Sequence, residues 1–206
     1  MQKILFTSFV LISFFSLFST ASKTFNINES QLNSIENKFG IQGKNRVEEW
    51  DAMLESSKDE TTLNKIKNVN DFFNKITYKT DLSHWRQKDY WATPFEFMGS
   101  GAGDCEDYAI AKYLALEYLG VPTSKMFLSY VRVKSSNEAH MVLTYFETPS
   151  SEPLVLDNLR KTIQPASKRD DLIPVFNFNP NILKGEKTAA HRKWDTLIKD
   201  YKGKKI

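Results

Sequence analysis

A single cysteine, Cys105, is present among the 206 residues, so the chain can form neither an intramolecular disulfide nor a zinc or iron-sulfur site built from several cysteines. No charge of one sign prevails. The 28 Lys and Arg stand against 25 Asp and Glu, and the net +3 is spread along the chain, which disfavours a dedicated nucleic-acid binder. There is no internal repeat and no low-complexity stretch. What is present is an apolar fraction of 41% with 13% aromatics, enough to build a core and too much for a disordered chain.

No apolar run is long enough to cross a bilayer. The longest, Ile4 to Phe18, has 15 residues, short of the roughly 20 that a spanning helix needs. Lys3 precedes it and Ser19-Thr20-Ala21 follow it, the pattern of a secretory signal cleaved after Ala21. No cysteine follows the run, which excludes a lipoprotein anchor. The expected product is residues 22–206, one exported, soluble domain. Export places a lone thiol in an oxidising compartment, where an unpaired cysteine calls for an explanation. Cys105 is either a buried filler or a reactive group.

From Glu29 to about Lys79 the chain reads helical, with Leu63, Ile66, Asn70, Phe73 and Ile76 at three- and four-residue spacing. Between Asp81 and Gly103 the pattern breaks into an aromatic-rich loop that ends in three closely spaced glycines, leaving room for a substrate to approach the backbone. The run DCEDYAIAKYLALEYLGVP then predicts a helix capped by Asp104, stopped at Gly120 and Pro122, and apolar nearly all round, hence central. After it, MFLSYVRVK, AHMVLTYFE and PLVLDNL read as consecutive antiparallel strands, and Ile173 to Phe178 as another. The tail puts Trp194, Leu197, Ile198 and Tyr201 on one helical face. The fold class is therefore α+β: N-terminal helices and a central helix packed on an antiparallel sheet, in a single domain.

Cys105 falls in the first turn of the central helix. A thiol there meets the positive end of the helix dipole and unpaired amide donors, which favour a thiolate and can hold a developing oxyanion. A thiolate nucleophile also needs a base and a group to orient that base. His140, in AHMVL, and Asp157, at the end of the next strand, can supply them from neighbouring strands. His140 taken alone also fits a satisfied core residue, and Asp157 before Asn158 also fits a turn. His84 and His191 have no metal-ligand spacing to each other or to His140.

The run DYWATPFEFMGSGAGDCEDYAIAKYLAL, with AHMVLTYF and EPLVLDNLR at these spacings, resembles the bacterial transglutaminase-like cysteine proteinases, and within them the LapG-type periplasmic proteases. The resemblance spans about Leu82 to Arg160. It implies a papain-like α+β fold with a Cys-His-Asp triad, falling by motif on Cys105, His140 and Asp157. It also implies cleavage of the N-terminal region of a large outer-membrane-retained adhesin near a di-alanine motif, with release from a biofilm. Calcium dependence is implied as well, as is sequestration by an inner-membrane cyclic-di-GMP receptor.

Asp104, Glu106 and Asp107 crowd the thiol, and like-charge repulsion from them should raise its pKa. They either cap the helix and suit its dipole or hold Ca²⁺, which would neutralise them. The resemblance assigns calcium to Asp104 and Glu106, and less directly to Asp107, with Asp89 as a loop candidate to complete the set. Three rival activities share these residues: a transglutaminase, a cell-wall amidase, and a non-catalytic calcium-binding interaction module. The aromatics Trp85, Tyr90, Trp91, Phe95 and Phe97 either form a substrate or receptor surface or pack the core beneath the loop.

Overall fold

The computed structural model describes residues 27–182 and 187–203. The apolar run Ile4 to Phe18 lies outside the described residues, and among those described no helix is long and apolar enough to cross a membrane. The chain begins with α1 (Glu29–Ser57), capped by a reciprocal pair in which Asn28 Oδ1 accepts the Gln31 N–H and Gln31 Oε1 accepts the Asn28 N–H. Gly40, at φ +74°, breaks the helical path of α1 into two segments, a backbone conformation that glycine adopts without a Cβ penalty.

The next helix, α2 (Thr62–Phe73), buries Ile66, Val69, Asn70 and Phe73. Leu63, expected on that face, is 56% exposed because the buried stripe begins one turn further on. The helical reading also ran too far. After Phe73 the chain turns into β1 (Thr77–Tyr78), which is drawn into parallel pairing with residues 102–103, a contact no local periodicity reports.

The segment expected as a loop contains two short helices, α3 (Asp81–His84) and α4 (Pro94–Ser100). Thr93 caps α4 through a capping box with Glu96, Pro94 occupies the first turn, and Gly101 at φ +73° closes it. Arg46 of α1 donates to the last carbonyls of α4, at Met98 (2.7 Å) and Gly99, which would otherwise lack partners. Of the aromatics in this region, Trp91, Phe95 and Phe97 are buried, and Trp85 and Tyr90 pack against the same core. They serve packing.

Residues Ala102–Gly103 form β2 and lead directly into the central helix α5 (Cys105–Tyr118), buried from Asp107 to Leu116. The strands β3 (Met126–Val133), β4 (Ala139–Tyr145), β5 (Leu154–Leu156), β6 (Gln164–Pro165) and β7 (Leu172–Phe178) form an antiparallel sheet in the order β6-β5-β4-β3-β7. Alternation divides the sheet. Met126, Leu128, Met141, Leu143 and Leu156 pack in the core shared with α5, whereas Val131, Val142 and Val155 form a separate cluster with Leu172. The last helix, α6 (Ala189–Lys202), buries Trp194 and Leu197. The mixed helix-and-sheet architecture agrees with the α+β expectation.

Candidate active site

The thiol of Cys105 is half-buried at the N-terminus of α5. Of the glycines before it, expected to leave room for a substrate to approach the backbone, Gly103 is closely packed. It is buried, and a Cβ there would sit 2.3 Å from Asp107 Oδ2 and 2.7 Å from the Phe97 ring, so the missing side chain makes room for a carboxylate rather than a substrate. Asp107 is wholly engaged by backbone: Oδ1 accepts the Ala92 N–H at 2.9 Å and Oδ2 accepts the Asp104 N–H at 3.2 Å. It fixes both the entry to α5 and the start of the Thr93-capped helix.

Around the thiol, acidic groups converge. Asp81, Asp104 and Asp107 can each place a carboxylate oxygen within 4.8 Å of the others, and so can Asp81, Asp89 and Glu106. Asp104 and Glu106, which flank Cys105, form a third such group with the thiol itself. Two of these oxygens, Asp81 Oδ1 and Asp104 Oδ1, are buried without a hydrogen-bond partner. Orphaned buried carboxylate oxygens, aimed together by separate chain segments, are what a hard cation with oxygen ligands would satisfy. Hence the donor set fits calcium.

The same crowding governs ionisation. Burial, with Glu106 beside it, pushes Asp104 up to about 8, and burial with Asp104 nearby lifts Asp81 to about 6. Asp107 is driven well above the carboxylate range by burial and by Asp104. Cys105 is raised above an ordinary thiol by burial and then by Glu106, whose Oε2 accepts its hydrogen bond at 3.2 Å. The expected repulsion of the thiolate is thus present in the metal-free arrangement.

His140 lies near the start of β4, and Asp157 directly follows β5; the two strands are paired. His140 Nε2 is 2.8 Å from Asp157 Oδ1, with both side chains buried. Asp157 Oδ1 also accepts the Leu159 N–H at 3.0 Å, and Oδ2 accepts from Arg169 Nη2 at 2.6 Å. Burial would lift this carboxyl, but the bond and charge of His140, the Leu159 N–H and Arg169 outweigh it and hold Asp157 down at about 2. An ionised carboxylate on Nε2 leaves Nδ1 as the free face of the imidazole.

The backbone of this carboxylate is also tethered. Asn74 Nδ2 donates to the Asp157 carbonyl at 2.9 Å, and the Asn74 and Asn70 side-chain oxygens accept from the fully buried Lys112 of α5 at 2.8 and 3.0 Å. His84 and His191 stand apart: His84 packs on Trp85, and His191 pairs with Thr188 at the start of α6.

Two members of the site were missed from sequence. Asp81 lies 23 residues before Asp104, and its only local sign is a place in the first turn of a short helix. Arg169, inside the charged run KRDD, reads as a solvated turn. In the fold it is 3% exposed.

Residues 39–171 match the family described as bacterial transglutaminase-like cysteine proteinase. Among solved structures, Legionella pneumophila LapG is similar at 37% identity and a TM-score of 0.72, over 84% of this chain and 97% of that one. Its calcium-bound form is similar at 37% identity and a TM-score of 0.71, over 85% and 99%. An EGTA-treated form is similar at 36% identity and a TM-score of 0.72, over 84% and 97%. No curated protein sequence matches.

Proposed function

The chain belongs to the bacterial transglutaminase-like cysteine proteinases, and from that premise we propose that it is a calcium-dependent periplasmic endopeptidase that cleaves the N-terminal region of a large outer-membrane-retained adhesin. The observation that carries this is the buried pair of His140 and Asp157 at 2.8 Å, in a chain whose lone thiol heads the central helix. Cys105 acts as nucleophile, His140 as base and Asp157 as the group that orients it.

With Nε2 held by Asp157, Nδ1 of His140 takes the thiol proton as Sγ attacks the scissile carbonyl. First-turn amides of α5, which have no intrahelical partners, face the oxyanion. The imidazolium then protonates the leaving amine, giving a thioester. His140 next removes a proton from water, the resulting attack frees the new carboxylate terminus, and the proton returns to sulfur. Asp81, Asp104 and Glu106 would hold the cation, with Asp89 and Asp107 at its margin. Its charge, when bound, offsets the carboxylates beside the thiol.

Resemblance to LapG-type proteases supports the finer parts of the proposal: cleavage near a di-alanine motif, release from a biofilm, and sequestration by an inner-membrane cyclic-di-GMP receptor. The apolar run Ile4 to Phe18 supports export. The deciding experiment incubates the protein with an adhesin N-terminal fragment, with calcium or with chelator, and Cys105→Ala as control. Calcium-dependent cleavage lost in the variant is expected. Incorporation of a primary amine without peptide cleavage would instead assign transglutaminase chemistry.

A further inference from the structure

We propose that Arg169 is a positioning residue for the reaction: it fixes the Asp157 carboxylate from the side opposite His140, and through it presents His140 with Nε2 protonated and Nδ1 free. This rests on the triad proposed above.

The two oxygens of Asp157 are divided between two partners. Oδ1 serves His140 and the Leu159 N–H, whereas Oδ2 has Arg169 Nη2 at 2.6 Å. Without Arg169 that second oxygen would be buried and unpaired, and the carboxyl could turn or take up a proton. Either event would release the imidazole from its tautomer. Arg169 is itself fixed by Asp171, whose Oδ1 accepts from Nε and Oδ2 from Nη2, each at 2.9 Å. Two tight-turn bonds place its backbone, from Arg169 N–H to the Ala166 carbonyl and from the Leu172 N–H to the Arg169 carbonyl. The planar fork thus spans two carboxylates, which a lysine can do only as a point charge. Asp157, Arg169 and Asp171 form a line of alternating charge that runs from beside His140 in the buried site to the half-exposed Asp171.

The test compares Arg169→Gln, Arg169→Lys and Asp171→Asn in the full chain. One readout needs no substrate: the long-range ¹H–¹⁵N spectrum of the imidazoles, of which the chain has three. The unaltered protein should show His140 protonated at Nε2, with a slowly exchanging downfield proton. Arg169→Gln should lose that signal and lower kcat on the adhesin fragment at least tenfold with KM unchanged. Arg169→Lys, which restores a positive charge beside Asp157 Oδ2, should recover the signal and part of kcat, and Asp171→Asn, which keeps an oxygen acceptor for Arg169 Nε, should stay within threefold of the starting kcat. A retained signal with unchanged kcat in Arg169→Gln overturns the proposal. Loss of the signal in Asp171→Asn overturns it too, even where Arg169→Gln does not fold, because the turn rather than the Asp157 contact would then govern His140. Failure of the unaltered protein to cleave the fragment would refute the proposed adhesin-cleaving function and leave the spectral comparison standing.

Discussion

The backbone N–H of Asp81 donates to Asp104 Oδ2 at 3.3 Å, while Oδ1 of each residue is buried without a partner. Two carboxyl groups from distant segments are therefore held together through one amide, each with a buried oxygen left unsatisfied. Calcium should bind here and stabilise the fold. At a hundredfold excess over Kd, linkage gives about 2.7 kcal/mol, or roughly 5–10 °C in Tm for a chain of this size. Thermal unfolding with calcium and with chelator measures it. Asp81→Asn and Asp104→Asn should shrink the difference, and equal melting in both conditions for the unaltered protein would exclude the site.

Metal-free protein should lose stability as pH rises from about 4 to 6. Asp81 titrates near 6 and Asp104 near 8 in the folded state, both above the value of about 3.9 for an unfolded aspartate. The folded chain therefore binds more protons than the unfolded one in this window, so raising the pH favours unfolding. Lys112, lowered by burial to about 7, contributes nothing opposite until the pH passes that value. Asp157, held at about 2, has already given its full stabilisation above pH 4. Melting in chelator at pH 4, 5 and 6 should show Tm falling by a few degrees. A rising Tm would contradict the carboxylate assignment.

Asp157→Asn should lower kcat on the adhesin fragment by about 10³-fold or more while the fold persists, because the amide no longer fixes the tautomer of His140. Circular dichroism together with single-turnover cleavage separates the two effects. Activity within tenfold of the unaltered protein would remove Asp157 from the site.

Much of this was legible in the sequence, for identifiable reasons. α5 and β3, β4, β5 and β7 are contiguous runs whose periodicity is local, so their order and approximate limits could be read directly. β1 and β2 have two residues each, and pairing across 25 positions of chain defines them. No window of sequence contains that information. His140 and Asp157 could be expected together because adjacent strands carry them. Asp81 and Arg169 reach the site through tight turns and crossing segments, where a charged residue looks solvated until the fold buries it.

Lys112 shows the same effect in a helix that reads as apolar. Lys112→Ala should destabilise the protein by about 2–4 kcal/mol, since it strips the buried Asn74 amide oxygen of its donor, leaves that of Asn70 with the Asn74 amide alone, and opens a cavity. Denaturant unfolding measures this, and a change below 1 kcal/mol would mean that water replaces the ammonium without loss.

The tether from Asn74 to the Asp157 carbonyl joins the end of β5 to a helix from the other half of the chain. Local fraying of the turn at 157–161 would have to break the Asn74 and Asn70 bonds to the Asp157 and Lys161 carbonyls, and with them the seat of Lys112. The Leu159 amide, which donates to Asp157, should therefore exchange with deuterium only when the whole molecule opens, at the rate of the slowest core amides. A histidine–carboxylate pair tied in this way has no partly unfolded form in which the imidazole is loose while the rest stays native, so heat or denaturant should remove activity and structure in one step.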